Sequence, residues 1–158
     1  MADIVDKATR SRMMSGIRGK DTKPELVVRK FLHAQGLRYR LHVKELPGQP
    51  DLVFPKYKAV VFVHGCFWHG HNCRLFKVPA TRTEFWLDKI HGNIERDKKV
   101  VDRLIELGWR VATVWECAIK GSKGSSQGYL HPLADWIRSS KQARFVLDEH
   151  QGKTSTIF

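Results

Sequence analysis

Three cysteines and one histidine form the first group of residues with a clear chemical capacity. Cys66, His71 and Cys73 lie close together in the chain, and Cys117 follows much later. Three thiolates and one imidazole are a usual tetrahedral shell for a structural zinc ion, and four protein ligands leave no open coordination position. An odd number of cysteines argues against a disulfide framework. The alternative is that the three cysteines are inert buried residues.

Asp51 begins a predicted β-hairpin whose two short apolar runs are separated by a four-residue turn, residues 55–58. Counting back from this turn places Asp51 opposite about Phe62. Because facing residues are about 5 Å apart, the carboxylate would lie beside the Val63 carbonyl and the backbone of His64. A carboxylate and a carbonyl are hard oxygen ligands that suit Mg²⁺. The alternative is a loop carboxylate that caps the preceding proline turn.

Asp97 is a carboxylate at an apolar position. On a helix predicted over residues 93–107 it falls on the apolar stripe, which comprises Ile94, Val101, Leu104 and Ile105. A buried carboxylate needs a partner. His69 and His64 are the candidates, because an Asp–His pair fixes the tautomer and raises the basicity of the imidazole. The alternative is an Asp at the stripe's edge that pairs with Arg or Lys.

Aromatic residues form the next group, and basic residues surround them. Phe67 and Trp68 lie within the Cys/His segment, and Phe85 and Trp86 follow it. Exposed aromatic rings among basic groups can stack on bases or wedge between them. Ordinary core packing is the favoured interpretation for Phe85, whereas both interpretations stay open for the other three.

The elements that must position these residues form an α/β pattern. A capping box, Thr22 to Glu25, predicts a helix to about residue 35, and the alternation in residues 39–43 predicts a strand. The hairpin follows. Its second strand, residues 59–63, is apolar on both faces and therefore central. Residues 64–82 are predicted as a loop.

The second half of the chain continues this α/β pattern. It predicts helices over residues 83–91 and 93–107, a buried strand over 109–115, a loop over 120–128 and a helix over 131–141, with no assignment for the tail from residue 144. The order predicts one α/β domain with a mixed central sheet flanked by helices. Strand 59–63, helix 93–107 and strand 109–115 can form a right-handed β-α-β crossover.

Length and charge limit the class of protein. The 158 residues suit a single domain, and the net charge of +12 favours a polyanion, most commonly nucleic acid. A basic protein without such a partner is the alternative. Residues 1–20 are predicted to be a basic arm. No apolar run approaches the roughly 20 residues of a membrane span and no secretory signal is recognisable, so we expect a cytoplasmic location.

Several long motifs resemble those of the very short patch repair (Vsr) mismatch endonucleases. The likeness extends to about residue 120. It is carried by HGCFWHGHNC at 64–73, FKVPATRTEFW at 76–86, NIERD at 93–97, GWRV at 108–111 and VWEC at 114–117, with DKATRS at 6–11 and LPGQPD at 46–51. Val63 and Gly70 depart from the best-known members, which have Thr and His there.

This resemblance implies a restriction-endonuclease-like core and a Mg²⁺-dependent, strand-specific nick beside the thymine of a T·G mismatch in double-stranded DNA. It implies that Asp51 and the Val63 carbonyl bind Mg²⁺, that His69, oriented by Asp97, acts on the attacking water, and that His64 and Glu25 assist. The implied structural zinc ligands are Cys66, His71, Cys73 and Cys117. The implied DNA-contacting residues are Met14, Phe67, Trp68, Trp86, Lys89 and Asn93.

We further expect that the protein is a monomer and that it can bind other repair-pathway proteins.

Two other functions compete with that of a mismatch endonuclease. A zinc-braced DNA-binding module without catalysis would share the charge, the zinc ligands and the aromatic residues, but it would not account for Asp97 on the apolar stripe or Asp51 beside His64. A zinc deaminase would need His-x-Glu and Pro-Cys-x-x-Cys motifs and an open zinc position, and the sequence has neither motif.

Overall fold

A computed structural model describes residues 22–73, 75–120 and 128–148. Its strands are β1 (Arg40–Leu41), β2 (Leu52–Phe54), β3 (Ala59–His64), β4 (Arg110–Trp115) and β5 (Arg144–Leu147). Its α-helices are α1 (Lys23–Ala34), α2 (Thr83–Glu106), α3 (Glu116–Lys120) and α4 (His131–Ser139), and short 3₁₀ turns cover Pro55–Tyr57 and Gly128–Leu130. Among these residues, no helix has the length and apolar character needed to cross a bilayer.

The five strands form one mixed sheet in the order β1-β2-β3-β4-β5. Strands β1, β2 and β3 are antiparallel neighbours, whereas β3, β4 and β5 run parallel. The pairing of Phe54 with Ala59 confirms the hairpin register that was counted from the turn. Because β3 and β4 are parallel, the chain segments that follow them leave from the same edge of the sheet, as predicted.

Helices cover both faces of the sheet, so the predicted mixed sheet flanked by helices is confirmed. On one face, α1 and α4 pack against the sheet through residues such as Leu32 and Ile137. On the other face, Val101 and Leu104 of α2 pack against residues such as Val60. Burial of these apolar side chains on both faces provides the main stabilisation of the domain and fixes the sheet edge that carries the polar residues described below.

Helix α1 begins as the capping motif predicts. The Thr22 hydroxyl accepts a hydrogen bond from the Glu25 N–H at 3.3 Å, and Gly36, with φ +84°, follows the last turn. Strand β1, in contrast, is shorter than the predicted strand over residues 39–43. His42 has φ +48°, a left-handed conformation that ends the strand, and Leu41 is exposed. Alternation alone therefore overestimated this edge strand.

The prediction of two helices between residues 83 and 107 was wrong, because α2 is a single helix of 24 residues. Gly92 lies inside it and has open space around its Cα. One isolated glycine costs a helix only about 1 kcal/mol. The apolar face continues across it from Ile90 to Val101, and burial of this face offsets the local cost.

The tail that had no assignment forms strand β5, whose four residues pair in parallel with β4. The preceding helix, α4, ends at Ser139, two residues earlier than predicted, and the short α3 follows β4 directly. β5 extends the sheet beyond β4 and brings Asp148 next to the loop that follows β3.

Candidate active site and metal clusters

Three residues from separate elements form what we call the carboxylate cluster: Glu25, His42 and Asp51. Glu25 lies in the first turn of α1, His42 follows β1 and Asp51 precedes β2. One ligand atom from each lies within 4.8 Å of those of the others. His42 Nε2 is 3.1 Å from both carboxylate oxygens of Glu25, and Arg29 donates to Glu25 Oε2 at 3.0 Å.

Asp51 contacts β3 as the hairpin count predicted, but through a different group. Its Oδ2 accepts a hydrogen bond from the Val63 N–H at 2.7 Å. The contact confirms that Asp51 lies beside Val63, whereas the role of the Val63 carbonyl as a metal ligand stays a prediction. Phe62 lies one residue beyond the last paired position, Val61, as the count required.

The electrostatics of the carboxylate cluster suit a cation. Burial raises the pKa of Asp51 from 3.8 to about 7, the Val63 N–H opposes this rise, and the charge of the nearby Glu25 adds to it. Glu25 itself is 1% exposed. Two neighbouring carboxylates in a poorly solvated place must bind a proton or a cation. Their hard oxygen donors fit a divalent ion such as Mg²⁺.

His42 was not among the residues that the sequence predicted for the site, and the structure adds it. Arg40 pairs with Val53 and Leu41 with Leu52, so His42 falls opposite Asp51 across the edge of the sheet. The His42 N–H donates to the Asp51 carbonyl at 3.1 Å. A long loop joins β1 to β2, so no turn length fixes their register and the sequence did not indicate this placement.

The second group, which we call the histidine stack, comprises His64 and His69 with the carboxylate of Asp97. The two imidazole rings lie parallel with centroids 3.8 Å apart. His69 Nδ1 lies 2.6 Å from Asp97 Oδ2, so the predicted pairing of these two residues is confirmed. Since a charged carboxylate accepts hydrogen bonds, Nδ1 carries the proton and Nε2 of His69 is left to act on another group.

His64 differs from His69 in its surroundings. Its Nδ1 is shielded from solvent and has no hydrogen-bond partner among the residues that the structure describes. Burial lowers the pKa of His64 well below its usual value, and the neighbouring His69 lowers it further. His64 is therefore neutral at pH 7, and it can donate a hydrogen bond from one ring nitrogen and accept one at the other.

A cavity of about 680 Å³ joins the two groups. His42 and Asp51 line it on one side, His64 and His69 line it on another, and Lys44 adds a positive charge at its wall. A carboxylate, imidazoles and an ammonium group that converge on one open cavity can bind a phosphate-containing substrate together with a cation.

Gly70 allows the loop after β3 to pass close to α2. Its φ is +64°, and a Cβ there would lie 2.6 Å from Ile94 Cδ1. A larger residue would have to displace Ile94 or the loop, and either movement would disturb the contact between His69 and Asp97. Glycine at position 70 therefore allows this loop to lie close to α2.

Cys66, His71, Cys73 and Cys117 form what we call the cysteine cluster. Their ligand atoms all lie within 4.8 Å of one another. Cys117 Sγ is 3.6 Å from His71 Nδ1, close to the roughly 3.5–3.8 Å between ligands around a tetrahedral zinc ion. The sequence predicted that these four residues would meet, and the structure brings them together.

The surroundings of the cysteine cluster also fit a metal. Burial raises the pKa of the Cys66 thiol. The Cys117 N–H opposes this rise, because it donates a hydrogen bond to Cys66 Sγ at 3.4 Å. His71 Nε2 is 3.5 Å from Asp148 Oδ2. Carboxylates commonly hold metal-ligating histidines in this way. Three soft sulfurs and one imidazole match zinc better than they match Mg²⁺ or Ca²⁺.

The aromatic cluster comprises Phe67, Trp68 and Trp86, which are half-buried and contact one another with ring centroids 5.2–5.8 Å apart. Lys89 lies over both tryptophan rings, 5.7 and 5.9 Å from their centroids. Core packing was the wrong expectation for Phe85, which is 45% exposed and has the Arg82 guanidinium over its ring. The cluster therefore presents rings and positive charges at one surface.

Asn93 contacts the protein's own backbone. Its amide donates to the Trp68 carbonyl at 2.7 Å, and Arg96 donates to its oxygen. Asn93 thus ties the loop after β3 to α2, and a contact with DNA stays a prediction for both Asn93 and Lys89. Met14 and the predicted basic arm lie outside the described residues.

Comparison with known proteins gives a consistent result. The family described as DNA mismatch endonuclease Vsr matches residues 2–75. The DNA mismatch endonuclease Vsr of Escherichia coli (strain K12) is 53% identical over 138 residues, which cover 87% of this chain and 88% of that protein.

Two nicking enzymes are similar over much of the chain as well. The type II nicking enzyme V.XorIIP of Xanthomonas oryzae pv. oryzae is 48% identical and covers 85% of this chain and 98% of that protein. V.NmeAIP of Neisseria meningitidis serogroup A is 51% identical and covers 76% and 86%. With identities this high over most of both chains, the protein belongs to the Vsr family of DNA mismatch endonucleases.

Proposed function

We propose that this protein is a Mg²⁺-dependent endonuclease that nicks one strand of double-stranded DNA next to the thymine of a T·G mismatch. Such a mismatch arises when 5-methylcytosine is deaminated, and the nick would start very short patch repair. The observation that carries the proposal is the single cavity shared by the carboxylate cluster and the histidine stack. Family membership supports hydrolysis of DNA at a mismatch.

In this proposal, Asp51 would hold Mg²⁺ at the cavity, together with Glu25 and the Val63 carbonyl. When bound, the ion supplies positive charge that stabilises the negative charge developing on the phosphate oxygens. The raised pKa of Asp51 supports this assignment, because a bound cation would relieve the repulsion between the two carboxylates.

His69 is assigned as the general base. Asp97 accepts the Nδ1 proton of His69, so Nε2 can take a proton from the water whose oxygen forms the new bond to phosphorus. The bond from phosphorus to the leaving oxygen of the sugar breaks, and that oxygen takes a proton from solvent water. His64, neutral and stacked on His69, is assigned to a hydrogen bond with the phosphate or the leaving group.

The other parts of the protein are assigned to recognition and support. The basic arm at residues 1–20, with Met14, and the aromatic cluster with Lys89 and Asn93 would contact DNA. A T·G pair stacks less well than a matched pair, so rings inserted beside it cost less free energy. Zinc in the cysteine cluster would be structural. Residues 1–158 would form one restriction-endonuclease-like domain, and the protein would act as a monomer in the cytoplasm.

One experiment tests the proposal directly. Zinc-loaded protein is incubated with end-labelled duplexes that carry either a T·G mismatch or a T·A pair at the same position, with and without Mg²⁺. We expect a single nick beside the thymine only in the mismatched duplex and only with Mg²⁺. Binding of the mismatched duplex without any nick would instead identify a DNA-binding module without catalysis. Cleavage of both duplexes at equal rates would contradict mismatch specificity.

A further inference from the structure

His42 occupies an unusual position between the first helix and the sheet. It follows β1 with φ +48°, a left-handed conformation that non-glycine residues seldom adopt. Its backbone N–H donates to the Asp51 carbonyl at 3.1 Å. This hydrogen bond fixes the backbone of His42 next to that of Asp51. Such a backbone outlier beside a candidate site suggests a constraint that the side chain must satisfy.

The side chain of His42 points at one carboxylate in a symmetric way. Nε2 is 3.1 Å from Oε1 and 3.1 Å from Oε2 of Glu25, and the His42 side chain is only 18% exposed. A carboxylate offers acceptors only, so a close imidazole nitrogen must carry a proton and donate. The contact is therefore a hydrogen bond from His42 that both oxygens of Glu25 share.

Glu25 needs such a partner because Asp51 lies beside it. Both residues belong to the cluster whose ligand atoms lie within 4.8 Å of one another, and two carboxylates repel unless a cation lies between them. Arg29 holds Glu25 Oε2 from the same helix. His42 holds it from the sheet side, so that helix α1 and the sheet fix the carboxylate from two directions.

We propose that His42 is a positioning residue that holds the Glu25 carboxylate against Asp51 and so prepares the oxygen ligands of the cation site before the ion binds. This inference rests on the proposed function only in taking Glu25 and Asp51 as ligands of a divalent cation. A ligand set held in place binds its ion with less loss of conformational freedom. Residues that support metal ligands in this way contribute about 10- to 100-fold to metal affinity.

Mn²⁺ binding to zinc-loaded protein in the absence of DNA tests this role, with free Mn²⁺ measured by electron paramagnetic resonance. His42→Leu removes the donor, whereas His42→Gln keeps an N–H donor on a side chain of similar length. We expect His42→Leu to weaken Mn²⁺ affinity about tenfold or more and His42→Gln to recover most of that loss. His33→Leu is the matched control, since His33 is an exposed histidine of α1, and it should leave the affinity unchanged.

A second background separates positioning from a general loss of structure. In Glu25→Gln protein there is no carboxylate for His42 to hold, so adding His42→Leu should lower Mn²⁺ affinity by less than about twofold. Circular dichroism and zinc content show whether each variant is folded. If His42→Leu does not fold, the Mn²⁺ affinity of His42→Gln is compared with that of the protein without this substitution, in both the wild-type and the Glu25→Gln backgrounds. We expect near-normal affinity for His42→Gln in each background.

Two results would overturn the proposal. Wild-type Mn²⁺ affinity in folded His42→Leu would show that His42 has no influence on the cation site. Equal losses in His42→Leu and His42→Gln would show that the imidazole nitrogen acts as a ligand and not as a donor. Because Mn²⁺ binding is measured without DNA, these results are distinct from a failure to nick a T·G duplex, which would count against the proposed function alone.

Discussion

The cysteine cluster and the carboxylate cluster both bring potential ligand atoms within 4.8 Å of one another, yet they differ in chemistry and in access. The first offers three sulfurs and an imidazole, and Cys66 and Cys117 are completely buried. The second offers two carboxylates beside an imidazole, and it opens on the large cavity. Soft ligands in a closed shell suit an ion that holds the fold, whereas hard ligands beside a cavity suit an ion that meets a substrate.

One aromatic residue connects the cysteine cluster to the histidine stack, which lines the same cavity as the carboxylate cluster. The Trp115 ring stacks on His71 with centroids 4.2 Å apart, and its edge faces His64 and His69 at 5.3 and 6.3 Å. The cysteine cluster also anchors the loop that carries His69. The cysteine cluster therefore differs from the carboxylate cluster in its task, yet it supports the histidines that face the same cavity.

Cys117→Ala tests the cysteine cluster and should have the largest effect, which is on stability. Loss of one of four ligands should release zinc and lower the free energy of unfolding by roughly 5 kcal/mol, since structural zinc binding contributes directly to folding. Thermal unfolding and zinc content by mass spectrometry measure this, with Lys99→Ala at an exposed position as the control. A variant that keeps one zinc per chain and the wild-type melting temperature would disprove the ligand assignment.

Asp51→Ala addresses the reactive side. Nicking of a T·G duplex should fall about 1,000-fold or more, because several kcal/mol of transition-state stabilisation are lost with the cation. DNA affinity and thermal stability should stay close to wild type, in contrast to Cys117→Ala. Single-turnover cleavage and fluorescence anisotropy measure the two quantities, with the exposed Asp135→Ala as the matched control. Near-normal cleavage would remove Asp51 from the site.

His69 and Asp97 test whether the histidine stack acts as a unit. His69→Ala should slow nicking by about two orders of magnitude with a modest effect on binding. Asp97→Asn should slow it less, by disturbing the tautomer and basicity of His69. The double variant should be little slower than His69→Ala alone, because residues that act together are not additive. Losses that multiply in single-turnover assays would show that Asp97 acts independently of His69.

Asp51→Asn should also lose nicking, but its effect on stability is the smallest change that we expect. Burial and Glu25 raise the pKa of Asp51 to about 7 from 3.8, so ionisation of Asp51 destabilises the folded state in the absence of a divalent cation. Below about pH 4 the variant and wild type should be equally stable. The variant's advantage should grow as the pH rises to 7 and then level off.

Chemical denaturation across this pH range, with zinc present and other divalent ions removed, measures the difference. Added Mg²⁺ should stabilise wild type more than Asp51→Asn and so reduce the gap. An advantage that does not change with pH would mean that Asp51 is not held at a raised pKa. The cysteine cluster should behave differently, because its contribution to the free energy of unfolding should be lost only when zinc is removed.

Much of the candidate site could be predicted from the sequence because its signals are local or periodic. Residue type and spacing selected the four members of the cysteine cluster, and a four-residue turn fixed the register that places Asp51 beside Val63. Helical periodicity put Asp97 on an apolar stripe and so implied a partner, which is His69. Each of these inferences needed only neighbouring residues or one helical repeat.

Tertiary structure alone decided the features that depend on pairing between distant segments. The apolar face of α2 packs on the sheet and carries the helix through Gly92, and β5 pairs with β4 and brings Asp148 to His71. The position of His42 opposite Asp51 depends on how a two-residue edge strand pairs with β2. A sequence encodes which face of a strand or helix is apolar, but the partner and the register of separate segments follow from the packing of the whole core.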